Sequence, residues 1–208
     1  ERQRLTVLSE QIALLPANGT YVSQWGGLTL TGQAGSRLQV FDLPAQLVEQ
    51  AHTFQVQSLP AGSTVVFNLR GQGAGLTNMS LESLATIRRR VLFNFPDATS
   101  LVLAGIGVEG SILAPRAAIE NPQGVLKGQL IAKSWNGMMQ LNHEPFEGCL
   151  SVSTGNQPPQ ITTQPALFAT IGRDYRYETD AIDPDEDPLA FAKPIGPIGS
   201  EIDPASGL

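Results

Sequence analysis

Two short segments, Gly107-Val-Glu-Gly-Ser-Ile-Leu-Ala114 and Gly124-Val-Leu-Lys-Gly-Gln-Leu-Ile-Ala132, carry the clearest structural signal in the chain. Each reads as Gly-Val, a short polar step, Gly, a polar residue, two branched apolar residues and Ala. The second glycine, Gly110, recurs 18 residues later as Gly128. A repeat of this length, made of short strands, predicts a β-solenoid, in which each coil buries its inward side chains against the neighbouring coils. Two copies alone are also compatible with ordinary hairpins in a β-sandwich.

Helices and further strands are predicted on the N-terminal side of this repeat. Apolar residues at 3, 4, 3 spacing on a polar background indicate an amphipathic helix over residues 2–15. A second helix is predicted over residues 80–92, with Ser80 as its N-cap. Short runs of β-branched and aromatic residues, separated by glycine, predict four strands: Leu28–Thr31, Leu38–Phe41, His52–Val56 and Thr64–Leu69.

Charge divides the 208-residue chain into two regions. Residues 1–155 contain ten acidic and ten basic residues, whereas residues 156–208 contain nine acidic residues and three basic ones. The net charge of −6 therefore belongs to the last quarter of the chain. Such a change in charge predicts two regions with different roles.

The overall composition excludes several classes of protein. Charged residues make up 15% of the chain and hydrophobic residues 41%, which argues against a disordered acidic protein and against a coiled coil. No run of about 18 apolar residues occurs, so no membrane span is predicted. Without a basic region, nucleic acid is not an expected partner.

Four ordered motifs give residues 1–150 a resemblance to a known family. They are Val91-Leu-Phe-Asn-Phe-Pro-Asp-Ala-Thr99, Gly110-Ser-Ile-Leu-Ala-Pro-Arg116, Gly128-Gln-Leu-Ile-Ala-Lys133 and Met139-Gln-Leu-Asn-His-Glu-Pro-Phe146. In this order they resemble the C-terminal half of the choice-of-anchor A domain. The resemblance implies a mainly β fold, a right-handed β-solenoid with one or two packed α-helices. It also implies an extracellular adhesive domain of an exported bacterial surface protein, with a host, matrix or glycan ligand that is unknown.

The acidic remainder has a resemblance of its own. Residues 151–157 are rich in Ser, Thr, Gly and Asn and predict a linker. The motifs in residues 158–208, among them Ala181-Ile-Asp-Pro-Asp-Glu-Asp-Pro-Leu189, resemble a bacterial Ig-like or cadherin-like repeat. Such a β-sandwich needs about 100 residues. The resemblance therefore implies an incomplete stalk repeat, with further Ig-like repeats towards the C-terminus of a longer protein.

A calcium site is a candidate within this repeat. Asp183, Asp185 and Asp187 place three carboxylates on alternate residues of one turn, and such oxygens are ligands for Ca²⁺. The alternative is a solvated acidic turn whose backbone is set by Pro184 and Pro188. No cofactor is predicted for residues 1–150.

Three features of the first region are candidates for ligand binding. Trp135 stands beside Asn136-Gly137, a turn that would present it to solvent, although packing inside the fold is the commoner role of such a residue. Arg116, at the end of the second motif, is a further candidate. The run Arg88 to Arg90 has the chemistry to bind an acidic glycan. Consecutive helical residues diverge, however, which favours a solvated helix face with one arginine paired to Glu82 or Asp97.

Catalysis is not expected. Solenoids that cleave polysaccharides need convergent carboxylates on one face, and Glu109, Glu120 and Glu144 occur singly among Gly and Ala. A regular threonine ladder for ice binding is also missing, since only Thr29 and Thr31 have the spacing. The prediction is a non-catalytic adhesive module, and the alternative is a purely structural cap or spacer of a surface protein.

Overall fold

The computed structural model describes residues 2–150, 159–183, 188–193, 195–197 and 199–208. The chain divides into two compact units, residues 1–152 and 153–208, each considered by itself below. The first unit contains helices α1 (Arg2–Ala13) and α2 (Ala45–Glu49) and a 3₁₀ helix (Glu82–Arg90). Its strands are β1 (Thr20–Gln24), β2 (Gly27–Thr31), β3 (Leu38–Pro44), β4 (Thr53–Gln57), β5 (Thr64–Arg70), β6 (Gly73–Thr77), β7 (Val91–Asn94), β8 (Ser100–Ala104), β9 (Ile106–Glu109), β10 (Ser111–Glu120), β11 (Gly124–Gly128), β12 (Leu130–Asn136) and β13 (Gln140–His143).

The first unit is mainly β, and its strands form three faces that the chain visits repeatedly in the same order. The first face consists of β3, β5, β7 and the first halves of β10 and β12. The second face consists of β6, β8 and the second halves of β10 and β12, so the two faces are arms of one curled parallel sheet. The third face contains β2 and β4, then β9, β11 and β13. This arrangement is compatible with a solenoid-like fold.

The 18-residue repeat is confirmed as the spacing between neighbouring parallel strands. Ile112 in β10 pairs with Leu130 in β12, and Glu109 in β9 pairs with Lys127 in β11, each pair being 18 positions apart. Both pairs of strands run parallel, whereas a hairpin joins antiparallel strands. The hairpin interpretation of the repeat is therefore wrong.

One detail of the repeat differs from the pattern of the sequence. When the two copies are aligned by their first glycines, Gly107 matches Gly124. In the structure Gly107 pairs with Val125, and Gly124 pairs with Ile106. The reason is that the parallel ladder keeps one register along the whole strand, and the glycine alignment would shift that register by one residue. A shift of one residue would turn every side chain to the opposite side of the sheet.

The N-terminal turns of the chain are longer than the repeat predicts. Gly27 pairs with Thr53 and Val65 pairs with Val91, so these strands are 26 positions apart. The first of these turns holds α2, which packs against β6, and the second holds the 3₁₀ helix, which contacts both β4 and β9. Each helix thus occupies the place of a strand in one turn, which explains the additional residues.

The interior contains a ladder of phenylalanine rings. Phe41, Phe67 and Phe93 occupy matching positions of β3, β5 and β7 and are all fully buried. Their ring centroids are 5.4 and 5.1 Å apart along the ladder, and Phe54 meets Phe67 edge-on at 5.2 Å. Such stacked and edge-on pairs add to the free energy gained by burying the rings.

Helix α1 covers the outer side of the first face. The helix predicted over residues 2–15 is confirmed and ends at Ala13. Its buried Ile12 packs with Val40, Val66 and Leu92 on successive strands. The outward residues of this face therefore form a second, smaller core beneath the helix.

Two buried asparagines hold the C-terminal end of α1. Asn68 Nδ2 donates to the Ile12 carbonyl (3.0 Å), and Asn94 Nδ2 donates both to the Ser9 carbonyl (2.9 Å) and to Asn68 Oδ1 (2.9 Å). Carbonyls in the last turn of a helix lack partners within the helix. The asparagines, which neighbour each other on β5 and β7, supply some of these partners.

The second predicted helix is partly wrong. Residues 82–90 form a 3₁₀ helix rather than an α-helix, Leu81 is its N-cap, and Val91 and Leu92 belong to β7. Nine residues at about 2.0 Å each extend about 18 Å in a 3₁₀ helix, which is close to the length of a strand. Pairing of Val91 with Val65 outweighs the local helical pattern beyond residue 90.

The second unit has little regular structure in its described part. Strands β14 (Gln160–Ile161) and β15 (Ala181–Ile182) pair antiparallel. Tyr177 Oη donates to the Thr163 carbonyl at 3.0 Å, and Asp203 accepts hydrogen bonds from the backbone of Ser206 and Ala205. These two backbone hydrogen bonds lower the pKa of Asp203. The Ig-like sandwich stays a prediction.

The repeated glycine at position 128 yields a stability prediction. A Cβ there would lie 2.2 Å from the Gly110 carbonyl oxygen, and this backbone atom cannot turn away as a side chain can. We expect Gly128→Ala to lower the free energy of unfolding by about 1–3 kcal/mol, measured by urea denaturation. Gly107→Ala is the control, because nothing lies within 4 Å of its added Cβ. Equal stability of the two variants would contradict the prediction.

Candidate functional site

A groove of about 550 Å³ lies near the point where the 3₁₀ helix leads into β7. Residues 85–90, Gly62, Glu144 and Glu147 line it. We call it the arginine groove, because Arg88, Arg89 and Arg90 all contribute to its lining. It forms beside the helix that replaces a strand of the third face.

Two of the lining residues, Glu144 and Glu147, belong to residues 144–150, which we call the closing segment. After β13 this segment runs back past earlier turns of the chain and is held by hydrogen bonds from its backbone amides. The amides of Phe146, Glu147 and Cys149 donate to Gln129 Oε1 (3.0 Å), to the Arg89 carbonyl (2.6 Å) and to Thr64 Oγ1 (3.0 Å), respectively. The groove is thus built from residues distant in the sequence.

A buried carboxylate lies next to the groove. The side chain of Glu109 is only 4% exposed, and it lies 2.5 Å from Arg88 Nε and 2.5 Å from Lys127 Nζ. Lys127 stands directly opposite Glu109 because β9 and β11 pair in the 18-residue register. A buried carboxylate needs such partners, since an unpaired charge is costly in the interior.

Arg88 connects this carboxylate to the closing segment. Its Nη1 donates to Glu144 Oε1 at 3.1 Å. Burial acts to lower the pKa of Arg88, but the hydrogen bond to Glu144 and the charges of Glu109 and Glu144 outweigh burial and raise that pKa. Arg88 is therefore a permanent cation bound by two carboxylates.

Arg89 and Arg90 face different partners. Arg89 Nη2 lies 2.6 Å from Glu147 Oε1, and both side chains are about half exposed. Arg90 is exposed and donates from Nη1 to the Gly62 carbonyl at 2.7 Å. The arginines can line one groove because each long side chain reaches a different wall. The prediction that one of them pairs with Glu82 or Asp97 is wrong.

Of the predicted ligand-binding residues, Trp135 is neither a core residue nor a free surface ring. It is half-buried against the main core, and its Nε1 donates to the Gly137 carbonyl at 3.0 Å. Two large apolar residues are far more exposed than Trp135: Trp25, which is 94% exposed in the turn between β1 and β2, and Met138, which is 100% exposed. A positive φ of 51° at Trp25 marks this turn, a feature that sequence does not show.

Arg116 connects the sheet to α1. Its Nη2 lies 2.5 Å from Glu10 Oε1, and its Nη1 donates to the Pro96 carbonyl at 2.7 Å. Its guanidinium is thereby already engaged by two partners. It is not part of the arginine groove.

The proposed calcium ligands are only partly within the described residues. Asp183 is described, whereas Asp185 and Asp187 lie outside the described residues. Among the described residues, no three His, Cys, Asp or Glu side chains lie close enough together to hold a metal ion. Calcium binding in this unit stays a prediction.

The three candidate catalytic carboxylates do not share one site: Glu109 and Glu144 both pair with Arg88, and Glu120 lies apart from them. Glu109 and Glu120 belong to different sheets, because β9 is in the third face and β10 is in the curled sheet. Glu109 is held by two cations, Glu144 by Arg88, and Glu120 accepts a hydrogen bond from Asn136 at 2.7 Å. Each carboxylate thus has a structural partner.

Comparison with known proteins identifies the family. The model of a family described as "Putative Ice-binding-like adhesive domain", pAdhesive_15, matches residues 1–143. The chain belongs to this family. No curated protein and no solved structure matches the chain significantly.

The ice-binding-like adhesive domain includes most of the arginine groove. The matched residues contain the 3₁₀ helix and Gly62 and end at His143, just before Glu144 and Glu147. Among the described residues, no helix has the length and apolar character that a membrane crossing requires. The narrower assignment to the choice-of-anchor A domain stays a prediction.

Proposed function

We propose that residues 1–150 form the adhesive head of an exported bacterial surface protein, which binds its ligand through surface complementarity and without catalysis. The match to an adhesive domain family over residues 1–143 carries this proposal. We further propose that the solenoid-like unit is a right-handed β-solenoid, since parallel strand connections are right-handed in nearly all proteins. Residues 158–208 would then begin a stalk of Ig-like repeats that places the head outside the cell.

The chemistry of the first unit supports binding rather than turnover. General acid–base catalysis by two carboxylates needs both groups on one substrate at a defined separation. Glu109 is buried between two cations, and Glu120 lies on another sheet. The arginine groove, in contrast, offers charged donors and acceptors that are accessible from solvent.

A ligand screen tests the proposed function. We expect the full 208-residue chain to bind saturably to at least one member of an array of glycans and extracellular-matrix proteins. We also expect no release of products from polysaccharides during the same incubation. Complete absence of binding across the array would favour a structural cap or spacer, and product release that Glu120→Gln or Glu144→Gln abolishes, with thermal melting unchanged, would favour an enzyme.

A further inference from the structure

The charges around the arginine groove leave one arginine without a carboxylate. Arg88, Arg89, Arg90 and Lys127 face Glu109, Glu144 and Glu147, which is four cations against three anions. In the part of the chain that the structure describes, every cation of this cluster except Arg90 has an ion pair. The groove is therefore locally positive in a region, residues 1–155, whose acidic and basic residues are equal in number.

Arg90 is positioned yet has donors to spare. One N–H of its guanidinium is directed at the Gly62 carbonyl, which holds the side chain against the groove wall. A guanidinium carries five N–H donors in a planar fork that matches a carboxylate or a sulfate. Because the side chain is already held, a ligand anion would cost it less conformational freedom than a mobile surface arginine would lose.

The acidic residues of the groove indicate what the rest of the ligand should be. Glu144 and Glu147 are partly exposed, at 30% and 50%, and carboxylates accept hydrogen bonds from hydroxyl groups. They would repel a ligand that carries several adjacent negative charges, such as an acidic peptide. A sugar with one acidic group and several hydroxyls can instead use the arginine and the carboxylates together.

We propose that the arginine groove binds an acidic saccharide, with its carboxylate or sulfate on Arg90 and its hydroxyls on Glu144 and Glu147. This inference rests on the proposed adhesive function and names the class of its ligand. The volume of about 550 Å³ falls within the usual range of small-molecule sites, roughly 300–1,000 Å³. The groove would therefore select a ligand with one negative charge, because Arg90 binds that charge and Glu144 and Glu147 disfavour further ones.

The test compares matched saccharides on the full chain. Isothermal titration is carried out with galacturonate, which carries one carboxylate, with its methyl ester, which is the same sugar without the charge, and with galactose 6-sulfate. We expect galacturonate to bind and its methyl ester to bind at least about tenfold more weakly, because the ester lacks the one charge-assisted contact. Binding of galactose 6-sulfate as well would show that the groove recognises a negative charge of either kind, and binding of galacturonate alone would show that it recognises a carboxylate.

Two variants test whether the saccharide binds at Arg90 in the arginine groove. Arg90→Gln is expected to weaken galacturonate binding by about tenfold, whereas Arg37→Gln, which removes an exposed arginine outside the groove, should leave it within about twofold. Thermal melting of both variants shows whether each one is folded. Equal binding of the acid and its ester, unchanged binding by Arg90→Gln, tighter binding of hexaglutamate, or no binding of either acidic sugar would each overturn the proposal. If the chain still binds another member of the ligand array, the proposed adhesive function stands, and only the assignment of an acidic saccharide to the groove is wrong.

Discussion

Replacing Phe67 with alanine is expected to lower the free energy of unfolding of the first unit by about 3–5 kcal/mol. Phe67 is fully buried at the centre of the phenylalanine ladder, in contact with rings above, below and at its edge. The substitution removes the burial of one ring, breaks the ring pairs and leaves a cavity that close-packed strands cannot fill. Urea denaturation followed by circular dichroism measures the change.

The matched control is Met138→Ala. Met138 is a large apolar residue of the same unit but is 100% exposed. We therefore expect its replacement to change the free energy of unfolding by about 0.5 kcal/mol or less. If Phe67→Ala lowers the free energy of unfolding by less than about 1 kcal/mol, the phenylalanine ladder is not the centre of the core.

Replacing Glu109 with glutamine is expected to lower the free energy of unfolding by about 3 kcal/mol. The amide has nearly the same shape as the carboxylate, so the loss comes from charge rather than from packing. Without the carboxylate, Arg88 and Lys127 are left facing each other across a site where the Glu109 side chain is only 4% exposed. Removing one member of a buried ion pair leaves such charges poorly compensated.

Glu147→Gln is the control for this second prediction. Glu147 also pairs with an arginine, at 2.6 Å, but both side chains are about half exposed. Exposed ion pairs contribute about 0–1 kcal/mol, because water screens them. Equal losses in the free energy of unfolding, measured by urea denaturation, would contradict the prediction that the buried ion pairs of Glu109 stabilise the fold more than the exposed pair of Glu147.

Several elements could be predicted from the sequence because their signal is local or periodic. The apolar spacing along residues 2–15 indicated α1, and runs of β-branched residues indicated β2, β3, β4 and β5. The recurrence of Gly110 at Gly128 gave the 18-residue register, because two strand ends approach each other at these glycines too closely for a Cβ.

Other elements depend on contacts that no local pattern reveals. The 3₁₀ helix replaces the predicted α-helix because it must cover the length of a strand before Val91 pairs with Val65. The 26-residue spacing of the N-terminal turns is hidden from a search for one period, since helices occupy strand positions there. Cys149 is exposed because the closing segment passes over the surface.

The order of residues was therefore enough to predict the β-rich class, the 18-residue spacing of the last coils and the division of charge between two regions. These follow from the order of residue types along the chain. Which charges meet depends instead on the three-dimensional fold. It placed Glu109 between Arg88 and Lys127, brought Glu147 to Arg89, and left Arg90 without a carboxylate among the described residues. The physical reason is that ion pairing depends on distance in space, and the coils and the closing segment bring together residues that lie far apart in the chain.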